Sequence, residues 1–433
     1  MTHLPPARFE AQLAAALNTF AERAPTDLDT GELLDLVENG TQRSRWVPRH
    51  GVLPRLPRLA TIAILLALAT ALVSVIAGMV QQRPAPWPYR GVLVPAPGLL
   101  EPRATPVAVA LANSWILVLG GGAGTHATGE LLLEPRGRPE PVGPLVDADG
   151  LAITSAAALP GGHALLVGEV GSGSLRRPLL QVFDAETRTF SEVGPMVTPR
   201  LGATATALRD GRVLISGGVA MDPSGAVLAA AEIYDPRTRS FGGTGDLAVP
   251  RVRHTMVALA DGRILVLGGE QGDATFRAPL RSLELFDPGR GSFRLARASL
   301  PAPLVTAVRL PDGRVAAILD AAEPLVAWDP ASGTVAALAT PTFPPERAIA
   351  LDDGRLLLMA THGDGLRTRA GLYQPADGTT RSLDGVRGWL PLPVRLADGR
   401  IALVGGRRDG HMHVGADGSV ALGSPVDFVQ VLE

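Results

Sequence analysis

An Asp-Gly-Arg triplet between two apolar runs occurs five times in this chain, and its spacing constrains the fold more than any other feature. The copies are Asp210-Gly211-Arg212, Asp261-Gly262-Arg263, Asp312-Gly313-Arg314, Asp353-Gly354-Arg355 and Asp398-Gly399-Arg400. Asp-Gly flanked by apolar segments is the signal of a tight hairpin, because glycine takes the left-handed conformation such a turn needs. Around the first copy, Thr204–Leu208 and Val213–Ile215 read as paired strands, and Gly217-Gly218 ends the second. Ala230–Tyr234 reads as a third strand, Asp235-Pro236 opens a turn with the proline φ already set, and Ser240-Phe241 begins a fourth. Each unit is therefore a four-stranded antiparallel sheet.

Two weaker copies precede the five. Asn113-Ser114-Trp115 and Gly161-Gly162-His163 occupy the same place between apolar runs, so the turns step at 41 to 51 residues throughout. The turn after the third strand keeps the same pace at Glu134-Pro135, Asp184-Ala185, Asp235-Pro236, Asp287-Pro288, Asp329-Pro330 and Gln374-Pro375, with Asp417-Gly418 in the seventh place. Two markers that count seven units of four short strands, at a period near 45, specify a seven-bladed β-propeller. In the last unit, Val92–Val94 is expected to join Asp427–Leu432 in one sheet, since an open ring leaves pairing edges exposed.

The segments Arg200–Phe241 and Arg251–Phe293 resemble kelch repeats; the first, entered through Pro199-Arg200, runs through the apolar run, Asp-Gly-Arg, Gly217-Gly218 and then Glu232-Ile233-Tyr234-Asp235-Pro236. Gly-Gly recurs at 120-121, 268-269 and 405-406, whereas Gly168-Glu169, Leu319-Asp320 and Ala360-Thr361 replace it in the other three units. Phe190, Phe241 and Phe293 stand where the family usually has tryptophan. The resemblance implies an all-β, kelch-type propeller over residues 91–433. It also brings in the galactose oxidase group, whose copper site needs two tyrosines, two histidines and a cysteine crosslinked to one tyrosine. This chain has no cysteine and only Tyr89, Tyr234 and Tyr373, so that chemistry is not expected.

The first 90 residues differ in kind. Phe9, Leu13, Leu17 and Phe20 share one helical face, and Thr26-Asp27-Leu28-Asp29 with Glu32 starts a second short helix through about Val37. Leu59–Val80 gives 22 positions without a charge, the length that crosses a bilayer. Arg43, Arg45, Arg49, Arg55 and Arg58 precede it and only Arg83 and Arg90 follow, which places the N-terminus in the cytoplasm. The expected order is a cytosolic segment with short helices (1–58), a transmembrane helix (59–80), a Pro-rich linker (81–90) and an extracytoplasmic propeller. This arrangement looks like that of bacterial single-pass membrane proteins with propellers outside the cytoplasm, some with anti-sigma-like tails.

All 40 cationic side chains are arginine, against 42 acids, and the formal charge of −2 excludes a nucleic-acid partner. His411-Met412-His413 is the one close histidine pair and has no evident third metal ligand; His254 reads as structural. No catalytic constellation, metal site or cofactor is read from the chain. Tight turns emerge on one propeller face, and the variable loops and inter-blade joints on the other. The second face is the expected ligand face, with Arg200, Arg251, Arg253, Glu270, Gln271, Asp320, His362, Asp364, Arg407 and Arg408 around the channel mouth.

The expected function is a membrane-anchored binding module at the cell surface. It is held in the lipid bilayer by residues 59–80 and takes a protein, peptide or glycan on the propeller. The alternative is a single-pass sensor whose acidic residues 1–40 contact a cytosolic regulatory partner, and the third reading is an enzyme of unrecognised type.

Overall fold

The computed structural model describes residues 91–111, 115–122, 127–133, 137–171, 175–361, 367–396, 398–407, 412–414, 420–422 and 426–432. Within them, seven four-stranded antiparallel sheets form the blades of a β-propeller. Their first strands are Val107–Ala110, Ala152–Ala158, Thr204–Ala207, Thr255–Ala258, Leu304–Arg309, Arg347–Ala350 and Leu392–Arg395, numbered here as blades 1 to 7. Each first strand lies beside those of the neighbouring blades, and blade 7 meets blade 1, so the ring is closed. These seven strands line the axis.

Blade 3 shows how the repeat makes the sheet. Ala207 pairs with Val213 across the Asp-Gly-Arg turn, and Val213–Ser216 then pairs with Ala231–Asp235, which pairs with Ser240–Gly243. Second strands read as unbroken apolar runs because a blade covers each of their faces; Val213–Ser216, Ile264–Leu267 and Ile401–Val404 are buried throughout. The core is correspondingly divided into seven apolar clusters, one between each pair of adjacent blades. Across the third and fourth strands, Phe183–Phe190, Tyr234–Phe241 and Phe286–Phe293 stack as tilted pairs at 5.1, 5.1 and 4.7 Å.

The Gly-Gly doublets end second strands where backbone meets backbone. Gly217 and Gly218 have φ of 63° and 102°, and a Cβ on Gly217 would stand 2.1 Å from the Arg251 carbonyl oxygen. In two of the units without the doublet, the second and third strands stay paired for longer, out to Val170–Arg177 in blade 2 and Thr361–Thr368 in blade 6.

Closure follows the expected route. Leu93–Ala96 is the outer strand of blade 7 and pairs antiparallel with Val429–Leu432, which joins Ile401–Val404. The surplus strands of this unit, Met412–Val414 and Val420–Leu422, form a separate hairpin. Among the described residues no helix is long and apolar enough to cross a membrane. The span expected at 59–80, the N-terminal helices and the linker 81–90 lie outside the described residues.

Candidate functional site

Strand direction separates the two faces. First-to-second and third-to-fourth turns leave one side, here the turn face; second-to-third loops and inter-blade joints leave the other, the loop face. On the turn face each Asp-Gly-Arg closes on itself. Asp210 Oδ1 accepts the Arg212 amide at 3.1 Å and Oδ2 accepts Arg212 Nε at 2.8 Å, and Asp261 and Arg263 repeat this at 3.0 and 2.8 Å. The same clasp recurs at Asp312, Asp353 and Asp398. The arginine side chain is the main reason the Asp210 and Asp261 carboxyls lie below the usual carboxylate range.

On the loop face, two of the residues expected to meet a ligand do not reach solvent. Arg200 and Arg251 are 1% and 0% exposed, and both turn inward to a glutamate on the third strand of their own blade. Arg251 Nη2 donates to Glu284 Oε1 at 2.5 Å and to Ser282 Oγ at 3.1 Å, while Nη1 donates to the Gly268 carbonyl at 2.9 Å. Arg200 pairs with Glu232 and donates Nε to the Thr198 carbonyl at 2.8 Å. Arg103 makes the equivalent pair with Glu130 in blade 1 at 2.7 Å. Desolvation pulls the guanidinium pKa of Arg200 and Arg251 down, and the facing carboxylates oppose it.

The glutamates also hold the joint backbone. Glu284 accepts the Ala248 and Val249 amides at 2.7 and 3.1 Å, and Glu232 accepts those of Val197 and Thr198 at 2.7 and 2.9 Å. Blades 2 and 7 use a neutral residue at the same register. Gln181 takes the Val146 amide and donates to its carbonyl, and Gln430 takes the Arg387 amide and donates to the Gly385 carbonyl. The sequence carries the signal in Glu130-Leu131-Leu132, Glu232-Ile233-Tyr234 and Glu284-Leu285-Phe286. A carboxylate recurring inside a buried strand requires a partner.

The remaining expected residues divide further. Arg253 is exposed and faces Glu270 at 3.5 Å; Glu270 also faces Arg277 at 3.9 Å, with Gln271 beside it on the same hairpin. Asp320 is exposed at blade 5, its amide bonded to the Pro303 carbonyl. Arg407 is half-buried, with its backbone paired to Trp389. His362, Asp364, Arg408 and the His411 of the histidine pair lie outside the described residues. The structure thus brings Arg253, Glu270 and Gln271 together and leaves Asp320 and Arg407 apart from them.

Glu270 and Gln271 stand on a ridge built by two loops, with Arg253 on the inter-blade joint beside it. The hairpin Glu270–Gly272 with Arg277–Pro279 is bonded to the blade 3 loop through Val227 N to the Gly272 carbonyl (2.9 Å) and Ala274 N to the Ser224 carbonyl (3.3 Å). At its tip Asp273 Oδ1 accepts the Thr275 amide, the Thr275 hydroxyl and the Phe276 amide at 2.8, 2.6 and 3.0 Å. Gly272 has a φ of 127°, and a Cβ there would be 2.1 Å from the Phe276 carbonyl oxygen. The tip is fixed, yet Phe276 is 71% exposed. Leu100, Leu175, Val197, Met221 and Val305 are also exposed on this face, so six of the eight large exposed hydrophobic residues among those described share it. Sequence reasoning weighted charge and missed them.

No family model matches the chain, and no curated protein does. A fungal alcohol oxidase of the AA5 family, solved in complex with copper, superposes over 78% of this chain and 75% of that one. Its TM-score is 0.53 at 16% identity, a likeness of fold. Because 646 solved chains match in this way, the likeness selects no activity. The residues here do not fit a copper centre of that kind. Among the described residues no three His, Cys, Asp or Glu side chains gather as ligands, and the chain has no cysteine. Tyr234 and Tyr373 lie on third strands, away from the axis, and the Tyr373 hydroxyl donates to the Ala339 carbonyl at 2.7 Å.

Proposed function

We propose that the propeller is a protein-binding module, displayed outside the cytoplasm by the apolar stretch 59–80. The observation that carries this reading is the asymmetry of the two faces. The Asp-Gly-Arg side chains of the turn face close on their own turns, whereas the loop face holds out six large apolar side chains, Phe276 on a tip held by three bonds to Asp273. An exposed aromatic on a backbone held in place suits the anchor of a protein interface, because little backbone ordering entropy remains to be lost on contact. Arg253, Glu270 and Gln271 then supply the polar rim. The membrane anchor rests on the uncharged run and on the arginines before it.

Site-specific photo-crosslinking in intact cells tests both parts. A benzoylphenylalanine at position 276 is expected to give a discrete adduct that one at position 290, on the turn face, does not. Identical adducts from both positions, or none from 276, would refute the assigned face. Protease treatment of intact cells is expected to shave a tag after residue 433 and spare one at residue 1. Protection of both would refute the display outside the cytoplasm.

A further inference from the structure

The turn face carries a feature that protein binding on the opposite face does not use. Between blades 2 and 3 lies a cavity of about 540 Å³, within the range that holds a small molecule. Leu159, Pro160, Val182 and Pro236 give it apolar walls. Tyr234 lines it as well, at 1% exposure, and its hydroxyl has no hydrogen-bond partner among the described residues. The contrast lies within the same chain: Tyr373, at the matching register of blade 6, donates to Ala339. Blades 2 and 4 place Phe183 and Phe286 there and need no partner. The Tyr234 hydroxyl opens onto the cavity without a partner among the described residues, so its proton is available to an acceptor bound there. Desolvation raises the Tyr234 pKa, so the phenol stays a donor at neutral pH.

The charges around the cavity are unevenly matched. Asp210 is clasped by Arg212 at 2.8 Å. Asp184 accepts the Glu186 and Thr187 amides at 2.9 and 3.1 Å, with His163 at 3.9 Å. Asp235 accepts the Arg237 amide at 2.9 Å. Both lining acids are therefore engaged in their own turns, and so is Asp235. Of the lining arginines, Arg212 is taken up by Asp210, whereas Arg237 and Arg239 are not held by a carboxylate among the described residues. Arg239 makes one bond, to Ser191 Oγ at 2.8 Å, and the Arg237 guanidinium has no partner among the described residues. Two planar forks of donors, with one bond between them, beside a phenol and apolar walls suit a carboxylate on an apolar body.

We propose that this cavity is a binding site for a small organic carboxylate. Arg237 and Arg239 receive the anionic end, Leu159, Pro160, Val182 and Pro236 cover the apolar body, and Tyr234 donates to an oxygen of the ligand. The site is on the face opposite the ridge, so it is independent of the partner proposed for Phe276.

The chain has three tyrosines, which makes the test direct. Full-length protein with ¹³C-labelled tyrosine rings gives three ring signals, assigned by Tyr89→Phe, Tyr234→Phe and Tyr373→Phe, or by elimination if one variant does not fold. Titration with 4-fluorobenzoate is expected to move the Tyr234 signal to saturation and leave Tyr373 in place. Neutral 4-fluorobenzamide is expected not to move it. The double variant Arg237→Ala, Arg239→Ala is expected to bind 4-fluorobenzoate roughly ten- to a hundred-fold more weakly, with an unmoved Tyr373 signal as the check that it folds. A Tyr234 signal that stays still, responds equally to the amide, or responds unchanged in the double variant would overturn the assignment.

Discussion

Arg251 and Glu284, 33 residues apart in sequence, meet at 2.5 Å with neither side chain exposed to solvent. The pair ties the joint before blade 4 to the third strand of that blade, because Glu284 also holds the amides of Ala248 and Val249. Removing one partner leaves a buried charge, which costs about 3–5 kcal/mol. Glu284→Ala and Arg251→Ala are therefore expected to lose that much in urea unfolding. Glu284→Gln is expected to lose less, since Gln181 and Gln430 hold the joints of blades 2 and 7 without a charge. Equal losses for Gln and Ala would mean that the amide bonds at the joint contribute nothing.

The arginines of the turn face predict the opposite. Arg263 clasps Asp261 across its own turn, at the surface, where water screens the pair. Arg263→Ala and Arg314→Ala are expected to change stability by less than about 1 kcal/mol each, and less still in high salt. A larger loss at either position would show that the clasp, not the glycine conformation, forms the turn.

That two arginine classes behave oppositely explains what was legible in the sequence. The turn chemistry of Asp210-Gly211-Arg212 is local, so spacing gave the blade count and the strand order, and the need to pair open edges pointed to Val92–Val94 for a closure that Leu93–Ala96 makes. Arg200 and Arg251 looked like ligand-face residues because the joint does emerge there. Their direction depends on Glu232 and Glu284, which are distant in sequence and contribute from within a strand. A periodic reading sees the strand and not the partner. Phe276 was missed for a related reason: its exposure follows from Gly272 and Asp273, which turn the hairpin outward. The cavity at Tyr234 depends on packing between two blades, and no one-dimensional pattern records it.

Two glycines with similar backbone angles separate conformational strain from crowding. Gly313 has a φ of 91° with open space where a Cβ would stand, whereas at Gly217, φ 63°, a Cβ would fall 2.1 Å from the Arg251 carbonyl. Gly313→Ala is expected to destabilise by about 1–2 kcal/mol, the penalty of the left-handed region alone. Gly217→Ala adds displacement of the joint that carries Arg251 and is expected to exceed it clearly. Matching thermal shifts for the two variants would remove close backbone approach as the reason for the doublet.

His254 gives the propeller an acid-sensitive point. It is 4% exposed; Nε2 lies 3.0 Å from Ser216 Oγ, and Ser216 Oγ lies 3.3 Å from Met256 Sδ. The chain of donors that fits is Nε2–H to Ser216 and the Ser216 hydroxyl to Met256, which leaves Nδ1 as an acceptor without a partner. Protonating Nδ1 would bury a cation near Arg251. Burial first, and then that arginine, push the His254 pKa down to about 3. Unfolding returns it to the ordinary value near 6.5. Between those values the unfolded chain binds the extra proton, so this contribution to stability is complete above about pH 6.5 and falls as the pH drops toward 3. The slope is roughly 1.4 kcal/mol per pH unit in the middle of the window. His254→Gln keeps a donor for Ser216 and does not titrate. Urea midpoints for the two proteins at pH 6.5, 5.5 and 4.5 are expected to diverge, wild type losing stability faster. Parallel curves would mean that His254 reaches solvent or a proton acceptor in the folded state.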